Sequence, residues 1–178
     1  MRTPTRLATV VRTEGGWVAL GRTELGLRHC VHSQETRAEA LGTLGEGWTV
    51  VAPDADPLLH RATDLIRAHF AGQRVTFDLP LDLSGFPSFT QRVLLACHRI
   101  PPGETRSYAD LAREVGSPNA ARAVGQAMRR NPMGLIIPCH RVIGSDGSLV
   151  GFAGKSRALT LKASLLALEG IRACPHRR

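Results

Sequence analysis

Apolar positions alternate in short runs over the first third of the chain and fall into helical stripes afterwards. Residues 7–13, 17–22 and 25–32 are β-prone stretches broken at Gly15-Gly16 and near Gly26, which predicts a small antiparallel meander. Residues 34–44 suit a short helix and 48–52 a further strand. Asp56-Pro57 then opens a helix, an N-cap followed by proline at the first helical position. Its stripe is Leu58, Leu59, Ala62, Leu65, Ile66 and Phe70, and Gly72 ends it. Residues 75–83 alternate like a strand, and Ser84-Gly85-Phe86-Pro87 reads as a boundary.

The second half is mainly helical. Residues 89–100 place Phe89, Val93, Ala96, Cys97 and Ile100 on one face, and Pro101-Pro102-Gly103 stops that helix. Residues 107–115 predict a helix capped by Ser107 with Asp110 three residues on. After Gly116, Ser117-Pro118 predicts the cap and start of a second helix reaching about Arg130. Two short helices across a tight glycine turn form a helix-turn-helix pattern, which also occurs as a plain packing unit. The second helix carries Arg122, Gln126, Arg129 and Arg130 on one polar side, with Ala120, Ala121, Ala123, Gly125 and Ala127 small enough for close approach to a groove. Residues 135–137 read as a short buried strand, Ser145-Asp146-Gly147-Ser148 as a hairpin turn. The last helix spans 156–169 with Leu159, Leu161, Leu165, Leu166 and Leu168 as anchors, and a basic tail follows from Ile171.

Composition narrows the class. The chain has 178 residues, 43% of them apolar and 21% charged, an ordinary globular balance. No apolar run approaches the ~20 residues of a membrane helix, and the N-terminus lacks the pattern of a secretory signal, so a cytoplasmic protein with no membrane partner is expected. The net charge is +8, and residues 101–178 carry 12 basic against 5 acidic side chains. Nearly all the basic residues are arginines, suited to phosphate oxygens and base edges. That charge fits either a nucleic-acid-facing C-terminal module or an arginine-favouring composition. Cys30, Cys97, Cys139 and Cys174 are too scattered for a zinc ribbon or a CxxC pair.

Cys139 is the candidate nucleophile, since it follows a buried run and stands between Pro138 and His140. A thiolate attacks and a thiol hardly does, so a base or positive field must lower its pKa; His140 and Arg141 can supply both. Side chains adjacent in a strand point apart, so Cys–His cooperation needs an irregular backbone or a bridging water. Cys97-His98 repeats the dipeptide in mid-helix, where the cysteine reads as core; Cys30 reads as structural and Cys174 lies in the tail. Glu169 sits in a last helical turn, where the macrodipole disfavours an anion. A solvated surface glutamate is the simpler account of it, and orientation of His140 the sharper one.

Together the runs IIPCHRVIGSDGSLVGFAG, GETRSYADLAREVGSPNAARAVGQAMRRNP and LLALEG resemble the O6-alkylguanine-DNA alkyltransferases over residues 89–170. The resemblance implies an α/β (α+β) fold. An RNase H-like N-terminal domain occupies 1–85, a winged-helix-like helical domain with the helix-turn-helix and active site 86–170, and a basic tail 171–178. It implies direct-reversal repair: Cys139 takes the alkyl group from O6-alkylguanine irreversibly, O4-alkylthymine being left open, with His140 as base through water and Glu169 orienting it. Tyr108 helps rotate the nucleotide and protonates the departing guanine, and Lys162 supports Tyr108. Arg122 fills the vacated stack, with Ser107, Tyr108, Ala121, Ala123, Gly125, Gln126, Arg129 and Arg141 as further DNA contacts. Asn131 is the hinge, and Met128, Pro138, Val142, Val150, Gly151, Phe152 and Ala153 line the pocket. The implied partner is double-stranded DNA held by its minor groove. No metal or organic cofactor is expected, and a monomer is, with cooperative assembly on DNA left open. The chain departs from the family in having Phe152 and Ala153 where tyrosine and serine are common and Ser164 where tryptophan is frequent. The competing readings are an alkyltransferase-like or regulatory DNA-binding protein and a Cys-His-Glu thiol hydrolase.

Overall fold

The computed structural model describes residues 5–150 and 156–172, with side chains described from 159 onward in the last helix. The described residues divide into two compact units. One contains the chain up to Ser84 together with Pro132–Ile136, and the other contains Gly85–Asn131 and the chain from Ile137 on. The sequence had assigned 86–170 to one domain, but 132–136 pack with the first unit. There Cys30 N–H donates to Pro132 O at 2.8 Å, and Cys30 and Met133 form a parallel bridge.

In the first unit, β1 (Leu7–Thr13), β2 (Gly16–Thr23) and β3 (Gly26–Gln34) form the expected meander. The sheet order is β3-β2-β1-β4, where β4 (Thr49–Val50) runs parallel to β1 and is shorter than the predicted 48–52. The first helix, α1 (Arg37–Gly42), is also shorter than predicted because Thr36 and Glu39 close a capping box that fixes its start. Ala40 and Leu44 pack on Ala8 and Ala19 of the sheet, with Trp17 and Trp48 alongside. Side chains of opposite parity, Val11, Val18 and Leu20, are buried too, so both faces of the sheet are covered.

The helix α2 (Pro57–Phe70) begins where the sequence placed it. Asp56 accepts from the backbone of Leu58 and Leu59 at 3.1 and 3.0 Å, and Leu59, Ala62, Ile66 and Phe70 are buried. Residues 75–83 do not form the predicted strand. Val75, Phe77, Leu79 and Leu83 are buried alternately along an extended chain, but pairing is limited to a bridge of Leu81 with Leu27. Pro80, which has no N–H, offers only its carbonyl, to Leu27 at 2.8 Å. Alternation in the sequence therefore reported burial and not a ladder.

The second unit holds α3 (Ser88–His98), α4 (Tyr108–Glu114), α5 (Ala121–Arg129) and α6 (Ser156–Leu168). The expected capping box of Ser107 and Asp110 starts α4. By contrast, α5 begins three residues later than a cap at Ser117 with Pro118 predicts. The Ser117 N–H is committed to Ala112 O at 2.8 Å and closes the end of α4, so it belongs to the preceding helix; Val124 N–H to Ala120 O opens the next ladder. Two-residue strands, β5 (Arg106–Ser107) and β6 (Val142–Ile143), pair in parallel, an element the sequence did not signal. Leu135, Ile136 and Ile137 are buried but are not a strand: the chain turns there with Leu135 at φ 70°. Their apolarity marks depth, not extension. Ser145–Ser148 does turn, with Gly144 N–H donating to Ser148 O at 2.8 Å, but no strand follows it among the described residues. No described helix is long and apolar enough to cross a membrane.

Candidate active site

Cys139, His140 and Arg141 form a single 3-10 turn between the buried run and β6. This is the irregular backbone that adjacent Cys and His side chains require. Cys139 is half-buried, and His140 (1% exposed) and Arg141 (3%) lie inside. α6 brings Glu169 (6% exposed) against both, immediately after its last turn. The end of that helix is closed by Gly170 at φ 80°, with Gly170 N–H to Ala167 O and Ile171 N–H to Leu166 O, so Glu169 has a fixed position.

Four donors converge on the Glu169 carboxylate. His140 Nε2 lies 2.9 Å from Oε1; Arg141 Nε donates to Oε2 at 2.9 Å and Nη2 to Oε1 at 2.8 Å; Gly103 N–H donates to Oε2 at 3.3 Å. Burial alone would raise this carboxyl, but these hydrogen bonds and the neighbouring positive charge hold it down to about 2. The simpler account of Glu169 as a solvated surface residue is therefore wrong. Burial pushes the His140 pKa below its ordinary value despite the carboxylate, so the imidazole is neutral near pH 7. With Nε2 donating to Glu169, Nδ1 becomes the basic nitrogen.

Arg141 is not the DNA contact the sequence suggested. Its guanidinium is held inside the protein by Glu169 and by the Ile100 carbonyl at the end of α3. An arginine flanked by Ile136, Ile137, Val142 and Ile143 carries a signal of burial that a charge count overlooks. The Ile100 carbonyl that accepts from Arg141 and the Gly103 N–H that donates to Glu169 are backbone groups, which no residue-type pattern marks.

The thiol is not poised as a thiolate. Burial raises the Cys139 pKa above the ordinary cysteine value, outweighing the Asn131 amide, the Lys162 charge and the turn's backbone N–H groups, all of which pull it down. The sequence expectation of a lowered pKa is thus reversed at rest, and attack requires removal of a proton. Asn131 also donates from Nδ2 to Ile137 O at 2.8 Å, tying the end of α5 to the approach to the turn. Cys97 is fully buried with its pKa raised, a core thiol as expected, and Cys30 is likewise inert by burial.

Tyr108 starts α4, and its hydroxyl donates to Val150 O at 2.9 Å. Lys162 is 0% exposed, donates to Val142 O and, at 3.2 Å, to Val150 O, and its Nζ lies 5.8 Å from the Tyr108 ring centre. Burial lowers the lysine to about 8 and raises the tyrosine to about 12. The sequence had counted only leucines as anchors of this helix, whereas Lys162 is inside and Leu168 is 41% exposed.

On α5, Arg122, Ala123, Gln126 and Arg129 are exposed, Ala121 and Gly125 half-buried, and Met128 buried. Gly125 sits next to the Tyr108 ring. The Ser107 hydroxyl is engaged in capping α4 with Asp110. Pro138 and Val142 are buried and Val150 is exposed; Gly151, Phe152 and Ala153 lie outside the described residues. The described residues contain no cluster of three or more His, Cys, Asp or Glu side chains able to hold a metal.

The chain is similar to known proteins in both sequence and fold. The model of the 6-O-methylguanine DNA methyltransferase, DNA binding domain, matches residues 88–171. The constitutive methylated-DNA–protein-cysteine methyltransferase of Bacillus subtilis is 51% identical over 115 residues, 65% of this chain and 68% of that one. The crystal structure of the Mycobacterium tuberculosis O6-methylguanine methyltransferase superposes with a TM-score of 0.75 and 35% identity, covering 97% of each chain. That of Mycobacterium tuberculosis OGT in complex with DNA gives a TM-score of 0.74 and 38% identity over 92% of each. On these likenesses in sequence and fold, the chain belongs to the methylated-DNA–protein-cysteine methyltransferase family.

Proposed function

We propose that this protein repairs DNA by moving a methyl or larger alkyl group from the O6 oxygen of guanine in duplex DNA to Cys139, once per molecule. The observation that carries this reading is the buried Glu169–His140 pair, whose histidine shares one turn with the protonated thiol of Cys139. The lesion's carbon lies inside a stacked duplex, so the nucleotide must first be extruded at a cost of a few kcal/mol. The exposed side of α5, with Arg122, Gln126 and Arg129 beside small residues, suits a backbone-following approach through the narrow minor groove, and Arg122 would occupy the space left in the stack.

In the reaction, His140 takes the Cys139 proton through a water, and Glu169 holds the imidazole and stabilises its charge. The sulfur attacks the alkyl carbon in line, forming a C–S bond as the C–O6 bond breaks. Tyr108 gives the departing guanine a proton, and the proton taken from the thiol makes good that loss. The thioether has no route back to thiolate, so turnover ends at one. Asn131 fixes the Cys139 turn relative to the recognition helix. The protein acts as a monomer.

The test is a duplex carrying radiolabelled O6-methylguanine, mixed with the full chain. One label per molecule on the Cys139 peptide, and none with Cys139→Ser, is expected. Label on other residues, or many turnovers, overturns the reading; many turnovers on thioesters would favour a hydrolase.

A further inference from the structure

The chain between α5 and the reactive turn leaves the unit that holds both. Asn131 and Ile137 belong to the second unit, whereas Pro132–Ile136 pack in the first. The base of this excursion is closed by the Asn131 amide, which donates to Ile137 O at 2.8 Å. Its body is held by β3. We infer that β3 positions the nucleophile by gripping residues 132–136, and that Met133 is the positioning residue at the centre of the grip.

β3 is the edge strand of its sheet, so its outer backbone groups need partners. Cys30 finds them in the excursion: its N–H donates to Pro132 O at 2.8 Å, and it pairs with Met133 in a parallel bridge. The approach is close. A side chain at Gly134 would lie 2.9 Å from Nε2 of His32, which is on the same strand. Met133, Leu135 and Ile136 are all fully buried, so this short loop commits three large apolar side chains to the first unit. Leu135 takes φ 70°, a left-handed conformation that a residue with a Cβ keeps only where its surroundings impose it. The grip imposes it here. The loop then ends at Ile137 O, which accepts from Asn131 and also from the Cys139 N–H at 2.7 Å. The carbonyl that the loop delivers is therefore the one from which the reactive turn starts. In-line attack needs the sulfur in place, and a displacement of about 1 Å can cost about a hundredfold in rate. Of the three side chains, Met133 alone also carries the bridge to β3.

The kinetic readout of this inference rests on the function proposed above. The full chain is compared with Met133→Ala and Met133→Leu in single-turnover transfer from a duplex carrying O6-methylguanine. Met133→Ala should slow transfer by about tenfold or more, while affinity for the duplex stays within about twofold because α5 precedes the loop. Met133→Leu conserves volume and should restore the rate to within about threefold of native. Hydrogen exchange read by mass spectrometry should quicken in Met133→Ala over residues 137–143 and not in α4, which lies in the same unit. A merely structural role in the first unit would leave both the transfer rate of the folded variant and exchange over 137–143 unchanged. If Met133→Ala does not fold, Met133→Val takes its place, and its smaller cavity should slow transfer by about threefold. A native rate in the folded variant, an equal fall in duplex affinity, or a Met133→Leu rate no better than that of the smaller side chain overturns the inference. Failure of the native protein to take up an alkyl group would instead remove the functional reading, and exchange over 137–143 would still test the grip.

Discussion

Glu169→Gln isolates the charge at the centre of the site. The amide has the shape of a protonated carboxyl, so the substitution compares the ionised side chain with its neutral form in the same place. Glu169 is held down to about 2 from an ordinary 4.5. A factor of ten in acidity corresponds to about 1.4 kcal/mol, which makes the ionised form worth about 3 kcal/mol to the fold at pH 7. That agrees with the 3–5 kcal/mol typical of breaking a buried ion pair, because the variant leaves Arg141 charged, 3% exposed and facing an amide. A depressed carboxyl stabilises the native state above its unfolded pKa and loses that effect as pH falls toward its folded pKa. The gap between native protein and variant should therefore be about 3 kcal/mol at pH 7 and shrink to about 1 kcal/mol at pH 3. Urea unfolding followed by fluorescence at both pH values measures it. A gap below about 1 kcal/mol at pH 7, or one that does not narrow in acid, would refute the claim that Glu169 is ionised and buried between His140 and Arg141.

Arg122→Ala removes an exposed side chain from α5 and should slow repair of a duplex lesion by about tenfold or more while leaving reaction with free O6-benzylguanine unchanged, since only the duplex needs its stack filled; equal losses in both assays would make Arg122 a folding residue. Because burial lifts the Cys139 thiol above its ordinary pKa, labelling of the Cys139 peptide by iodoacetamide should still be rising above pH 9, and a plateau below pH 8 would show a thiolate at rest.

The sequence by itself determined the local signals. Asp56-Pro57 and the Ser107–Asp110 box start their helices through bonds between near neighbours, and the meander follows from alternation broken by glycine turns. The PCHRV run singled out Cys139 as the candidate nucleophile for the same reason: the signal is written in adjacent residues. Tertiary structure decided whatever depends on partners distant in the chain. Residues 75–83 alternate in burial without pairing, because no neighbouring strand meets them beyond the Leu27–Leu81 bridge. Arg141 and Lys162 look like surface cations in a basic half-chain, yet each is buried. The groups that neutralise or bond them, Glu169, Ile100 O, Val142 O and Val150 O, are mostly carbonyls that have the same chemistry at every position. A charge is tolerated inside only where such acceptors converge, and convergence is a property of the folded chain.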